Sequence, residues 1–175
     1  MIKPFTFPYK RFFGDFYPII KIEIKGSRGV SSFEAYVDSG ASTSIFDAAV
    51  ASQIGINYTK GKRRLTMVGN GAYIPIYICK VPIKIGDIWI KTTVGFSPDF
   101  GASMNLLGQK DIFDHFDITF SKSKGKVLFH PVIDKENDFK KAKQIFQNPQ
   151  KLSPRIKRLK GVLKGKMISR EDYYL

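Results

Sequence analysis

One carboxylate in this chain stands in a setting suited to chemistry. Ala35-Tyr36-Val37 is an apolar run, Asp38 follows it directly, and Ser39, Gly40, Ala41 and Ser42 come next. An acid delivered at the end of a strand, beside a hydroxyl and a glycine that can turn the backbone sharply, can be held at the rim of a fold as a general base or acid. The plainer alternative is an Asp that only caps the next helix. About 70 positions downstream a second apolar pair ends in glycine, Leu106-Leu107-Gly108.

Other reactive groups form no comparable set. Asp99-Phe100-Gly101-Ala102-Ser103 has the look of a second copy, but Phe100 offers no hydroxyl and Ser97-Pro98 replaces the apolar strand, so a plain loop is expected. Asp111, Asp114, His115 and Asp117 do not share one helical face, and no metal or cofactor is expected. His115 and His130 have no nucleophile nearby. Cys79, inside an apolar stretch, reads as a small core residue, and a single cysteine excludes an internal disulfide framework.

The elements that must position Asp38 are mostly strands. Ile20, Ile22 and Ile24 alternate with Lys21, Glu23 and Lys25 and end at Gly26, the pattern of a half-buried strand, and a second strand is predicted over 33–37. Ser44 to Ile54, with Ile45, Phe46, Ala49, Val50 and Ile54, predicts a short helix closed by Gly55. Further strands are predicted over 64–68, 73–78, 81–85 and 88–96, with Gly69-Asn70-Gly71 and Gly86-Asp87 as turns. A helical turn is expected over 109–114, then a hairpin from 116–120 and 127–129. The sum is about eight short strands and two short helices before residue 131.

The segment around Asp38, with Leu106-Leu107-Gly108 downstream, resembles the retropepsin family of aspartic proteases over roughly residues 17 to 121. The resemblance implies an all-β fold: a single-lobed, closed acid-protease barrel with short helices, here carrying a basic, partly helical C-terminal extension. It implies that Asp38 is the catalytic carboxylate of an aspartic endopeptidase. Ser39 would lock the active-site loop across a dimer axis, Gly40 and Ala41 would complete the loop, and Leu106, Leu107 and Gly108 would brace it from behind. Gly69, Asn70 and Gly71 would form the tip of a mobile hairpin, the flap, over an extended peptide or protein substrate. Such sites use two carboxylates that share a proton, so a chain with one motif must find its second Asp in a twofold copy of itself, and a homodimer is implied. The alternative is a catalytically silent binding module of the same fold.

Charge divides the chain further. The protein has 175 residues and net charge +14. Residues 1–37 contribute +3, 38–120 only +1, and 121–175 the remaining +10. An N-terminal aromatic arm over 1–16, a domain over 17–133 and a basic extension over 134–175 are therefore expected, with helices at 134–147 and 155–164. The extension, rich in Lys among Leu, Ile and Val, could meet an anionic partner such as nucleic acid or a membrane surface. The first residues lack the uninterrupted apolar run of a leader, and a cytoplasmic location is the expectation.

Overall fold

A computed structural model describes residues 3–69, 71–101 and 104–132. The expected helices at 134–147 and 155–164, and the basic extension with its anionic partner, lie outside the described residues, as does Asn70. Twelve strands, one α-helix and two 3-10 turns are formed among the described residues. Their order is β1 (Phe5–Pro8), β2 (Lys10–Phe12), β3 (Asp15–Tyr17), β4 (Ile19–Gly26), β5 (Gly29–Val37), β6 (Ser44–Asp47), α1 (Ala48–Ile54), β7 (Lys62–Met67), β8 (Tyr73–Ile85), β9 (Ile88–Ser97), β10 (Asn105–Leu107), β11 (Phe116–Ser121) and β12 (Lys126–Pro131).

Strand alternation works as the residue types dictate. In β4, Ile20, Ile22 and Ile24 are buried while Lys21 and Lys25 are exposed. The large sheet runs β4-β5-β10-β6-β9-β8-β7, and β4 also pairs with β8, so six strands close into a barrel and β7 continues outside it. Glu23 opposes Lys84 at this seam, and the two form an ion pair of 3.5 Å. The barrel interior is filled by Ile20, Ile22, Ile24, Val37, Phe46, Ile83, Val94, Phe96 and Leu107. A closed barrel leaves few unpaired strand edges, which suits a small sheet protein.

Three expectations change on contact with tertiary structure. Ser44–Asp47 is a strand, not the first turn of the helix. It is held between antiparallel β10 and parallel β9, where Ser44, Ile45 and Phe46 are all buried. The helix begins only at Ala48, with the Asp47 carboxylate accepting the Ala49 N–H at 2.7 Å, and it ends at Gly55 in the left-handed region, φ 76°. Residues 73–85 form one continuous strand rather than two: buried positions switch from Ile74 and Ile76 to Val81, Ile83 and Ile85 as the strand passes from the hairpin into the barrel. The aromatic N-terminus does not stand apart, because β1 pairs with β12, Phe5 opposite Phe129, and Phe7 meets Phe129 edge-on.

At 109–114 the expected helical turn forms. Phe113 N–H donates to Gln109 O at 2.9 Å and Phe116 N–H to Ile112 O at 3.1 Å, and Asp111, at φ 66° between them, keeps these turns from joining into a regular helix.

Candidate active site

Asp38 is the first residue after β5, and three neighbouring strands fix where its loop can go. β10, drawn from more than sixty residues downstream, is inserted between β5 and β6, parallel to the first and antiparallel to the second. Leu106 lies opposite Tyr36 and Leu107 opposite Val37, and Asp38 N–H donates to Leu107 O at 3.0 Å. The strand that delivers the acid and the strand that receives the loop are thus joined by a third. Asn105 joins them again through its side chain, donating to Glu34 O at 3.0 Å and accepting from Asp47 N–H at 3.2 Å.

The loop itself is held by short polar contacts. Asp38 Oδ1 accepts the Gly40 N–H at 2.8 Å, and Ala41 N–H donates to Asp38 O at 3.3 Å. Behind it, Gln109 and Lys110 N–H groups donate to Ala41 O and Ser42 O at 2.8 and 3.1 Å, and Gln109 Nε2 donates to Ser39 O at 2.6 Å. Gly108 is forced by sterics: a Cβ there would stand 2.5 Å from Thr43 C and 2.7 Å from both Ala41 O and Thr43 O. Its N–H donates to the fully buried Ser44 hydroxyl at 3.0 Å. Leu107 is fully buried and Leu106 half-buried.

A cleft of about 550 Å³ opens above this loop, lined by Asp38, Gly40, Ala41, Ser42, Thr43 and Ile45 on one side. Thr66, Met67, Val68 and Gly69, from the β7–β8 hairpin, form the other side, with Phe100 and Leu106 between. Asp38 is the one acid in that lining. The hairpin closes by Val68 N–H to Ala72 O at 2.9 Å and Gly71 N–H to Val68 O at 2.8 Å, with Gly71 at φ 82°. Of the residues expected to brace the loop, Leu106 lines this cleft while Leu107 and Gly108 lie behind the loop; of those expected in a flap, Gly69 lines it, Gly71 closes the hairpin without lining it, and Asn70 is outside the described residues.

On the other side of Asp38 and Ser39 lies a smaller hollow of about 300 Å³, bounded by Tyr9, Tyr17, Tyr36, Phe120 and Lys122. Lys122 Nζ donates to Asp15 Oδ1 at 3.1 Å and Phe16 O at 2.6 Å, tying the β2–β3 hairpin beside the loop. The Asp15 carboxyl is held below its usual range, mainly by the Phe16 N–H and then by Lys122. Burial first, and the Asp38 charge second, push the Tyr36 phenol above its ordinary value.

Several contributors were not foreseen. Gln109 and Ser44 hold the loop through polar atoms. Phe100 supplies an apolar wall, in cluster with Ile45, Ile74 and Ile76, from a segment expected to be a plain loop. Its one legible signal is a large aromatic in a stretch of Ser, Pro, Asp and Gly. The remaining candidates have structural roles: Asp111 Oδ2 accepts Thr93 N–H at 2.6 Å, Asp114 Oδ2 accepts Asp111 N–H at 3.1 Å, and His115 Nδ1 meets Asp111 O at 2.6 Å. Asp117 pairs with His130 across the β11–β12 hairpin, and partly buried Cys79, its thiol pushed up by burial, packs on the core.

Residues 20–112 match the family model described as "gag-polyprotein putative aspartyl protease". The chain belongs to this family. Among solved structures, it resembles a retropepsin-like aspartic protease from Rickettsia conorii, with a TM-score of 0.53 and 18% identity over 74% of this chain and 96% of that one. That likeness places the barrel in the retropepsin-like fold. The EIAV protease complexed with the inhibitor HBY-793 aligns at 20% identity over 60% of this chain and 93% of that one, with a TM-score of 0.44. No curated protein matches the sequence. The family match spans the Asp38 loop, the hairpin and Leu106-Leu107-Gly108.

Proposed function

We propose that two copies of this chain form an aspartic endopeptidase, in which Asp38 of each copy activates water against a peptide bond. The observation that carries this reading is the position of Asp38: a half-exposed carboxylate, the one acid of a cleft roofed by a glycine-tipped hairpin. Peptide hydrolysis by water needs a base for the nucleophile and an acid for the carbonyl oxygen. One carboxylate cannot be both at the same moment. A twofold copy supplies the second, and two carboxylates in contact share one proton because both cannot ionise.

The charged Asp38 then takes a proton from water as the oxygen attacks the carbonyl carbon, and the protonated Asp38 of the partner donates to the carbonyl oxygen. Collapse of the tetrahedral intermediate breaks the C–N bond, with a proton passing to the leaving nitrogen. Two features support a paired loop. Ser39 is exposed, and its hydroxyl has no hydrogen-bond partner among the described residues of its own chain, so it is open to the facing loop. The Gly40 N–H on Asp38 Oδ1 orients the carboxylate before substrate arrives. An extended peptide beneath the hairpin would bind through main-chain hydrogen bonds, with side-chain pockets on alternate sides.

The purified protein should cleave an unfolded protein at mildly acidic pH, respond to a statine-type inhibitor, and lose activity in Asp38→Asn. A wild type no more active than the Asn variant at any pH would overturn the reading. No observation among the described residues favours the silent binding module.

A further inference from the structure

The hairpin over the cleft carries an unbalanced charge. Positions 48–86 hold six basic residues and no Asp or Glu, and four of the six, Lys60, Lys62, Arg63 and Arg64, cluster on and beside β7. Ion pairs among the described residues join Lys10 to Glu34, Lys84 to Glu23 and Lys122 to Asp15, and none involves these four. β7 is the last strand of the sheet, so its outer edge faces solvent.

Register decides which of these charges share a face with the apolar floor of the cleft, although Met67, on the other face, also borders the cleft near the hairpin's end. Lys62 opposes Ile78, Arg64 opposes Ile76 and Thr66 opposes Ile74. Directly opposed residues of an antiparallel pair project from the same face. Lys62 and Arg64 therefore share a face with Thr66, which lines the cleft, and with Ile74 and Ile76, which pack on Ile45 and Phe100 at its floor. Arg63 and Leu65 project from the opposite face. At about 3.3 Å per strand residue, Arg64 lies roughly 7 Å and Lys62 roughly 13 Å along the strand from Thr66.

We infer, resting on the proteolytic reading of the cleft, that this edge selects extended substrates bearing acidic side chains two to four residues from the one beneath Thr66. A peptide in extended conformation rises by the same increment as β7, so its carboxylates come level with Arg64 and Lys62. The Arg64 guanidinium can take a carboxylate in two parallel hydrogen bonds, and Lys62 acts as a point charge. In the paired enzyme the second copy presents the same edge to the other half of the substrate, and acidic residues are preferred on both flanks. The uncompensated positive potential also raises the local concentration of such segments.

The test uses labelled extended peptides that differ only by Glu, Gln or Lys at these flanking positions. Binding to Asp38→Asn is read by fluorescence anisotropy, and kcat/KM is read with the wild type. Glu peptides should bind roughly three- to tenfold more tightly than Gln peptides, the yield of one or two partly exposed ion pairs, and Lys peptides more weakly still. The preference should shrink between ~0.05 M and ~0.5 M salt and reverse in Lys62→Glu/Arg64→Glu. Equal affinity for Glu and Gln peptides, or a preference untouched by the double variant, would overturn the inference. A single-stranded oligonucleotide that displaces the Glu peptide at lower concentration would overturn it too, assigning the edge to nucleic acid. Failure of the two readings is separable. Charge-selective binding without cleavage of any peptide removes the protease and keeps the selection; cleavage that ignores the Glu-to-Gln change does the opposite.

Discussion

Gly108→Ala puts one methyl where the loop that carries Asp38 has no room. The added Cβ would meet three backbone atoms, Thr43 C at 2.5 Å and Ala41 O and Thr43 O at 2.7 Å, all closer than real Cβ contacts come. None is the end of a flexible side chain, so relief requires β10 and the loop to move apart. That motion strains the hydrogen bonds from Gln109 N–H to Ala41 O and from Gly108 N–H to Ser44 Oγ. Overpacking of a tight site costs about 1–3 kcal/mol, and three backbone clashes place this variant at about 3 kcal/mol. With a urea slope of about 2 kcal/mol/M, the unfolding midpoint should fall by about 1.5 M. Activity should fall further than the folded fraction does, because the displaced residues carry Asp38. Gly69→Ala is the control: no heavy atom lies within 4 Å of a Cβ there, and its midpoint should stay within about 0.3 M of wild type. A Gly108→Ala protein with wild-type midpoint and activity would refute the bracing role of β10.

Ser44→Ala removes the acceptor of the Gly108 N–H at a fully buried position and should cost about 1–3 kcal/mol in chemical denaturation. A change under about 0.5 kcal/mol would show that the hydrogen bond is dispensable. Spectrophotometric titration should find Tyr36 ionising above the ordinary value of 10.0. In Asp38→Asn its pKa should move down without reaching that value, since burial is the larger cause and persists; no movement would mean that the two groups do not sense each other. Because the folded-state pKa is raised, the stability linked to Tyr36 is complete below pH 10 and is lost as pH rises through the folded value.

Where local pattern and tertiary environment agree, residue types alone locate the elements. The Ile20-Ile22-Ile24 alternation, the Gly55 stop and the Asp38-Ser39-Gly40 turn all stand where their chemistry puts them. Ser44–Asp47 is different, since Ile45 and Phe46 fit a helix or a strand equally well, and only insertion between β9 and β10 decides. The pairing of Phe5 with Phe129 has no local signature, because its partner lies at the other end of the described chain. Lys80, exposed within β8, reads as the end of a strand until the change of buried face is seen. At the site, Asp38 and its bracing residues are legible because a motif carries them. Gln109, Ser44 and Phe100 are not, since each acts through a contact that spacing does not encode.

The central claim is that catalysis needs Asp38 from two chains, and subunit mixing tests it most directly. Asp38→Asn protein is exchanged in increasing excess into a fixed amount of wild type, and the cleavage rate is followed. The rate should fall in proportion to the remaining wild-type pairs and approach zero at large excess. A rate that stays constant while mixed pairs demonstrably form would contradict the account.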